Sequence, residues 1–231
     1  MRRITPLLVL LFAIVIYLTT TVQVKAQDSP SDSPIDIGVD LMSRYVWRGT
    51  DYGSSPSIQP SMELGLGGFA LGFWGAYTTN LPGVQELDLY ASYTFSEVVT
   101  IGITDYFFPD EILGYDYFDY RKDSTSHILE GMASFNGLEN LPLSLMVGYN
   151  FAGDSQNSTY LELRYSFSIL EIFLGAGNGF YTTDGNFNVV NVGITVSKDI
   201  PITEKFSLPV SASFITNPEA GKVHLVFGIS L

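Results

Sequence analysis

Cysteine is absent from this 231-residue chain. That excludes disulfides, thiolate metal ligands, a cysteine nucleophile and a lipid-modified cysteine anchor. Basic charge is scarce: 11 Lys and Arg stand against 24 Asp and Glu, for a formal net charge of −13. Phosphate backbones are held by clustered Lys and Arg, so nucleic acid is excluded as a partner. Histidine occurs only at His127 and His224. Long apolar runs are lacking too. Residues 7–18 form one, but it falls short of the ~20 residues that a spanning helix needs. Yet 46% of the residues are hydrophobic and 14% aromatic, with a mean hydropathy of +0.21. Apolar surface is abundant, but it is not gathered into helical spans.

The run 7–18 follows Arg2 and Arg3 and precedes Val24-Lys25-Ala26. This is the pattern of a cleaved secretory signal peptide over residues 1–26, with cleavage expected before Gln27. Losing Arg2, Arg3 and Lys25 takes the formal charge from −13 to −16. Residues 27–34, QDSPSDSP, read as a polar periplasmic leader, and 35–231 as the folded domain.

That domain consists of alternation. In 35–49, IDIGVDLMSRYVWRG, one set is Ile35, Ile37, Val39, Leu41, Tyr45 and Trp47, broken by Ser43. The other set holds Asp36, Asp40, Arg44 and Arg48. Successive side chains of a strand point to opposite faces, so 35–49 predicts a strand with one apolar and one charged face. The pattern recurs over 57–66, 69–77, 85–95, 98–107, 127–135, 143–151, 159–167, 170–177, 188–198, 206–215 and 222–231. Short turns alternate with longer polar loops. Two aromatic bands are expected on the outward face. One is at the external ends (Tyr45, Trp47, Tyr77, Phe107, Tyr149, Phe151, Phe214). The other is at the periplasmic ends (Phe69, Tyr93, Phe95, Phe135, Tyr165, Phe167, Phe206). The fold class expected is all-β: a transmembrane, antiparallel, up-and-down β-barrel of about 12 strands in the cell outer membrane. Three residues resist it. Pro60 and Pro209 each remove a ladder donor, and Asp105 falls on the lipid side, re-aimed by a bulge or lying above the hydrocarbon. A periplasmic β-sandwich or lipocalin-like barrel is the soluble alternative, and it leaves the two aromatic bands unexplained.

SRYVWRG (43–49), SPSIQPS (55–61), QELDLYASY (85–93) and TDYFFP (104–109) resemble the TorF-like family of putative outer-membrane porins. The resemblance implies a small outer-membrane barrel and brings no catalytic residue.

The inward charges are the first candidate site. They are Asp36, Asp40, Glu63, Glu86, Asp88, Glu130 and Glu162 among the acids, with Arg44, Arg48 and Arg164. A charge facing lipid at the midplane costs ~2–4 kcal/mol, so these face water or each other. They line a cation-preferring pore for small polar solutes or ions, or they form a salt-bridge network that fills a closed structural or adhesion barrel. Arg44 and Arg48 are expected beside Glu86 and Asp88. The loop 108–126 carries Asp110, Glu111, Asp116, Asp119 and Asp123 among Tyr115, Tyr117, Phe118 and Tyr120. It reads as a solvated external loop that folds over the mouth; its calcium signal is weak, for want of EF-hand spacing. Ser124 and Ser126 stand near His127, a proximity common by chance, and no phosphate-binding glycine loop precedes a helix. No enzyme activity, cofactor or metal is therefore expected, and the partners expected are outer-membrane lipid and small polar solutes.

Overall fold

The computed structural model describes residues 33–80, 84–109, 114–121 and 125–231. The expected signal peptide and cleavage point lie outside the described residues. In chain order the strands are β1 (Ile35–Met42), β2 (Val46–Trp47), β3 (Thr50–Asp51), β4 (Ser57–Leu66), β5 (Phe69–Thr78), β6 (Gln85–Phe95) and β7 (Val99–Phe107). Then follow β8 (His127–Phe135), β9 (Leu143–Ala152), β10 (Thr159–Phe167), β11 (Leu170–Gly179), β12 (Gly185–Pro201), β13 (Ser207–Asn217) and β14 (Lys222–Ser230). Strands β1 and β4 to β14 form a closed barrel of consecutive antiparallel neighbours, and β2–β3 is a separate hairpin. Closure runs through Asp40↔Ser230, Leu41↔Ile229 and Met42↔Gly228. Beyond these rungs, Val39 and Leu231 exchange two backbone hydrogen bonds of 3.0 Å. A closed ladder leaves no edge, which a sheet bathed in hydrocarbon requires.

The alternation sorts as expected. Ile58, Met62, Phe73, Ile101, Ile103, Leu145, Leu163, Ile172, Leu174, Leu225 and Phe227 are exposed on the outer face. Outward Tyr77, Tyr149, Phe151 and Phe214 mark the end where β4 begins, and Phe69, Tyr93, Phe95, Tyr165 and Phe167 mark the opposite end. Inward positions carry the acids.

The exceptions have physical causes. Pro60 pairs with Val39 on one side. On the other, the β4–β5 ladder steps from Ile58↔Tyr77 to Ser61↔Trp74 without a change of register. The missing donor is thus absorbed by skipped rungs. Pro209 pairs with Asp199 on β12 but lies beyond the last β13–β14 rung, Val210↔Ile229. Val190, which the alternation of 188–198 puts on the outward face with Val192, Ile194 and Val196, is fully buried inside. A register shift between Gly175 and Ala176, where Gly175 pairs with Asn191 and Ala176 with Val189, turns Val190 inward.

Asp105 keeps its outward phase, for no register shift occurs along β6–β7 or β7–β8 at that level. His127 Nδ1 lies 2.7 Å from Asp105 Oδ1, and the Tyr120 hydroxyl donates to Oδ2 at 2.7 Å. Residues 114–121 accordingly lie against the outer wall rather than across the mouth. Tyr120 stacks on His127 with centroids 4.1 Å apart, and Tyr115 and Tyr117 pack edge-on against Phe107. Phe107 therefore leaves the exposed aromatic band and is buried. Among the described residues no group of three or more His, Cys, Asp or Glu could hold a metal ion.

Candidate functional site

The site begins where the first strand stops short. The expected strand 35–49 ends at Met42. Ser43 closes the ladder: its amide donates to Phe227 O and its hydroxyl accepts from the Phe227 amide, both at 2.8 Å. Residues 43–56 then turn into the barrel. Tyr45 and Trp47, expected in the outer aromatic band, are inside it: Tyr45 is 4% exposed. Arg44 and Arg48, expected on the inner face of the first strand, belong to this in-folded segment instead.

Two devices shape the segment. Val46 pairs with Asp51 and Trp47 with Thr50, joined by Arg48 and Gly49. Both turn residues have positive φ, 49° and 81°, the geometry of a two-residue type I′ hairpin. Asp51 then ties the base, accepting from the Gly53 and Ser54 amides at 3.3 and 2.9 Å and binding the Arg44 guanidinium. Gly49 allows no other residue by geometry: a Cβ there would meet Val190 O at 2.0 Å.

Arg48 is the anchor. Its guanidinium donates to Glu130 twice, at 2.5 and 2.9 Å, and also to the Tyr181 hydroxyl. It sits over the rings of Trp47 and Tyr160 at 4.2 and 4.4 Å. The far oxygen partner of Tyr106 is the same Glu130, at 3.0 Å. A planar cation between aromatic faces with a bidentate carboxylate uses every property that separates Arg from Lys. Glu130 in turn occupies the space over Gly148, where a Cβ would lie 2.5 Å from its Oε2. Val46 packs against Phe173, Ile215 and Val226, and Trp47 against Tyr160, Tyr181 and Val190. The hairpin thus has its own apolar seat on the inner wall.

The remaining predicted residues divide by partner. Glu162 accepts from Arg164 Nε at 2.5 Å, from the Tyr160 hydroxyl at 2.5 Å and from Asn191 at 3.0 Å. Arg164 also binds Glu171 at 2.6 Å. Glu63 accepts from Tyr90 at 2.8 Å and pairs across the ladder with the exposed Asp36. Asp40 is half-buried opposite Gln59. Glu86 accepts from the Tyr45 hydroxyl at 2.5 Å. Neither arginine expected beside Glu86 and Asp88 pairs with them: Arg44 is bound to Asp51 and Arg48 to Glu130. Asp88 Oδ1 is buried without a hydrogen-bond partner.

Two cavities flank the hairpin. One, about 310 Å³, is lined by Tyr45, Trp47, Gln59, Trp74, Asp88 and Arg44 among others. The second, about 250 Å³, lies beside Arg48, Glu162, Arg164 and Asn191. The sequence reading missed Asp51, Glu171, Tyr181 and Asn191 as members. Only Gly49 carried a local signal, as a residue that accepts positive φ at a turn. His127 and His224 do not share an environment. The His127 ring nitrogens face Asp105 and Tyr117 O on the outer wall, whereas His224 Nδ1 lies 4.0 Å from Asp51 inside.

A family model described as bacterial protein of unknown function (Gcw_chp) matches residues 26–215. The chain belongs to the Gcw_chp family. No curated protein matches it. Among solved structures it is similar to an outer-membrane channel of Pseudomonas putida F1, with 15% identity and a TM-score of 0.41, covering 88% of this chain and 98% of that chain.

Proposed function

We propose that the protein is an outer-membrane channel for small polar solutes or ions, cation-preferring, whose lumen is narrowed by the in-folded hairpin of residues 43–56. The observation that carries this reading is the division of the barrel wall. The outside is an apolar band between two aromatic bands, and the inside holds acids, arginines and two cavities. A wall sorted this way suits hydrocarbon outside and water inside. The resemblance of 43–49, 55–61, 85–93 and 104–109 to the TorF-like putative porins supports the same reading. Cation preference follows from the partners: each lumenal arginine is bound to carboxylate, while Glu86 and Asp88 form no ion pair among the described residues. The activity proposed is passage, with no catalysis and no cofactor.

A second reading has its own observation. The Arg48–Glu130 pair and the apolar seat of Val46 and Trp47 hold the hairpin inside the barrel, as a closed structural or adhesion protein would require. Reconstitution in planar bilayers separates the two. The channel reading expects discrete conductance steps and a reversal potential of cationic sign under a salt gradient. Anionic sign refutes the charge argument, and absence of steps from wild type and from a variant with 45–52 replaced by a short Gly-Ser turn refutes the channel.

A further inference from the structure

The inner wall holds one buried carboxylate with no ion-pair partner among the described residues and one oxygen that no hydrogen bond satisfies. Asp88 is 6% exposed, and its Oδ1 has no hydrogen-bond partner. It lines the cavity of about 310 Å³ beside the hairpin. Glu86, two residues away on the same inward face of β6, is 2% exposed and has the Tyr45 hydroxyl, at 2.5 Å, and Asp88 itself as hydrogen-bond neighbours. Two buried acids on one face with no cation between them are costly. Every arginine of the lumen is already committed, including Arg44, which lines the same cavity but is bound to Asp51.

The rest of the cavity wall has the opposite character. Tyr45 and Trp74 approach with centroids 5.5 Å apart, and Trp47 closes a third side. Aromatic faces attract cations whose hydration is weak, and they do so best out of bulk water. Gln59 lies at the same wall with its Nε2 donating to Ser57 Oγ at 2.9 Å, which leaves its carbonyl oxygen as an acceptor. A carboxylate oxygen, an amide acceptor and aromatic faces together complement a small alkylammonium ion. The charged head meets Asp88 and Gln59, and the alkyl part meets Trp74 and Tyr45.

We infer that this cavity is a binding site for a small organic ammonium ion, with Asp88 as its counter-ion and Trp74 and Tyr45 as its aromatic wall. The inference deepens the channel reading by naming a solute class, but its test does not need conduction. The protein's two tryptophans, Trp47 and Trp74, both line the cavity, so intrinsic fluorescence reports on it. Refolded full-length barrel in detergent is titrated with n-propylammonium chloride, with sodium chloride at equal ionic strength, and with n-propanol. A saturable change with propylammonium alone is expected, weakened tenfold or more in Asp88→Asn. Glu139→Gln, exposed in the connection between β8 and β9 and outside this cavity, is expected to bind as wild type does. The inference is overturned by no saturable change, by an equal response to sodium, which marks a simple-cation site, or by Asp88→Asn binding with unchanged affinity. If propylammonium binds and no conductance is found, the site stands and the channel reading falls; conductance without binding has the reverse meaning.

Discussion

Replacing Arg48 by Met is the sharpest perturbation the structure offers. The side chain keeps its apolar stem and its place between Trp47 and Tyr160, but Glu130 loses its bidentate partner. Glu130 is 3% exposed and keeps only the Tyr106 hydroxyl. Removing one member of a buried ion pair costs ~3–5 kcal/mol, because the other charge stays buried and unmatched. That cost falls on docking of the hairpin rather than on the barrel. Strand β1 pairs with β4 from Ile35↔Leu64 to Met42↔Ser57, and with β14 from Asp40 to Met42, without any residue of 43–56. A hairpin released into water lets Glu130 be hydrated. At 1.4 kcal/mol per factor of ten, the undocked population rises by roughly two to three and a half powers of ten. Single-channel recording in planar bilayers reads this as longer or larger openings in Arg48→Met than in wild type. Adding Glu130→Met removes the stranded charge and should return the record toward wild type, since an apolar pair of similar volume is often neutral. Identical records for wild type and Arg48→Met, or a double variant more open than the single one, would refute the reasoning.

Three further outcomes are expected. Gly49→Ala places a Cβ at φ 81° and 2.0 Å from Val190 O; the left-handed backbone alone costs ~1–2 kcal/mol, so this variant should open like Arg48→Met and should not be rescued by Glu130→Met. In the turn after β9, burial pushes the Asp154 carboxyl up, but hydrogen bonds from Ser158, Gln156 and Asn150 outweigh it and hold it below the usual carboxylate range. Its contribution is present above the ordinary carboxylate pKa and is lost as pH falls through the lower folded value, so the Ser158 and Gln156 amides should lose protection in acid relative to neighbouring amides; a pH-independent ratio to those neighbours would contradict it. Finally, a closed twelve-strand barrel should migrate differently on a denaturing gel before and after boiling, and equal migration together with recovery from the soluble periplasm would sink the membrane reading.

The chain alone determined the barrel and its two faces. Alternation at period two is a local property: each residue's side is set by its neighbours two positions away, and hydrocarbon outside demands apolar residues there. Ten of the twelve barrel strands could therefore be placed from Ile58, Leu163 or Phe227 and their neighbours, with ends off by a few residues at most. The two departures, β1 and β12, share a cause. Alternation continues through Tyr45, Trp47 and Arg48 whether the chain stays in the wall or leaves it. Only a partner distant in sequence decides between them. Arg48 finds Glu130 82 residues away and Tyr181 133 away, and Tyr45 finds Glu86 across 41. Those contacts exist only once the wall has closed into a ring, so the tertiary structure decided where β1 ends and which acids keep a cation. Likewise, the inward turn of Val190 depends on a bulge between neighbouring strands, and the place of residues 114–121 on the outer wall depends on the pairing of Asp105 with His127. The acids lining the interior were legible in the sequence; that Asp88 would line a cavity without an arginine partner was not, because every competing arginine had first to be folded onto another partner.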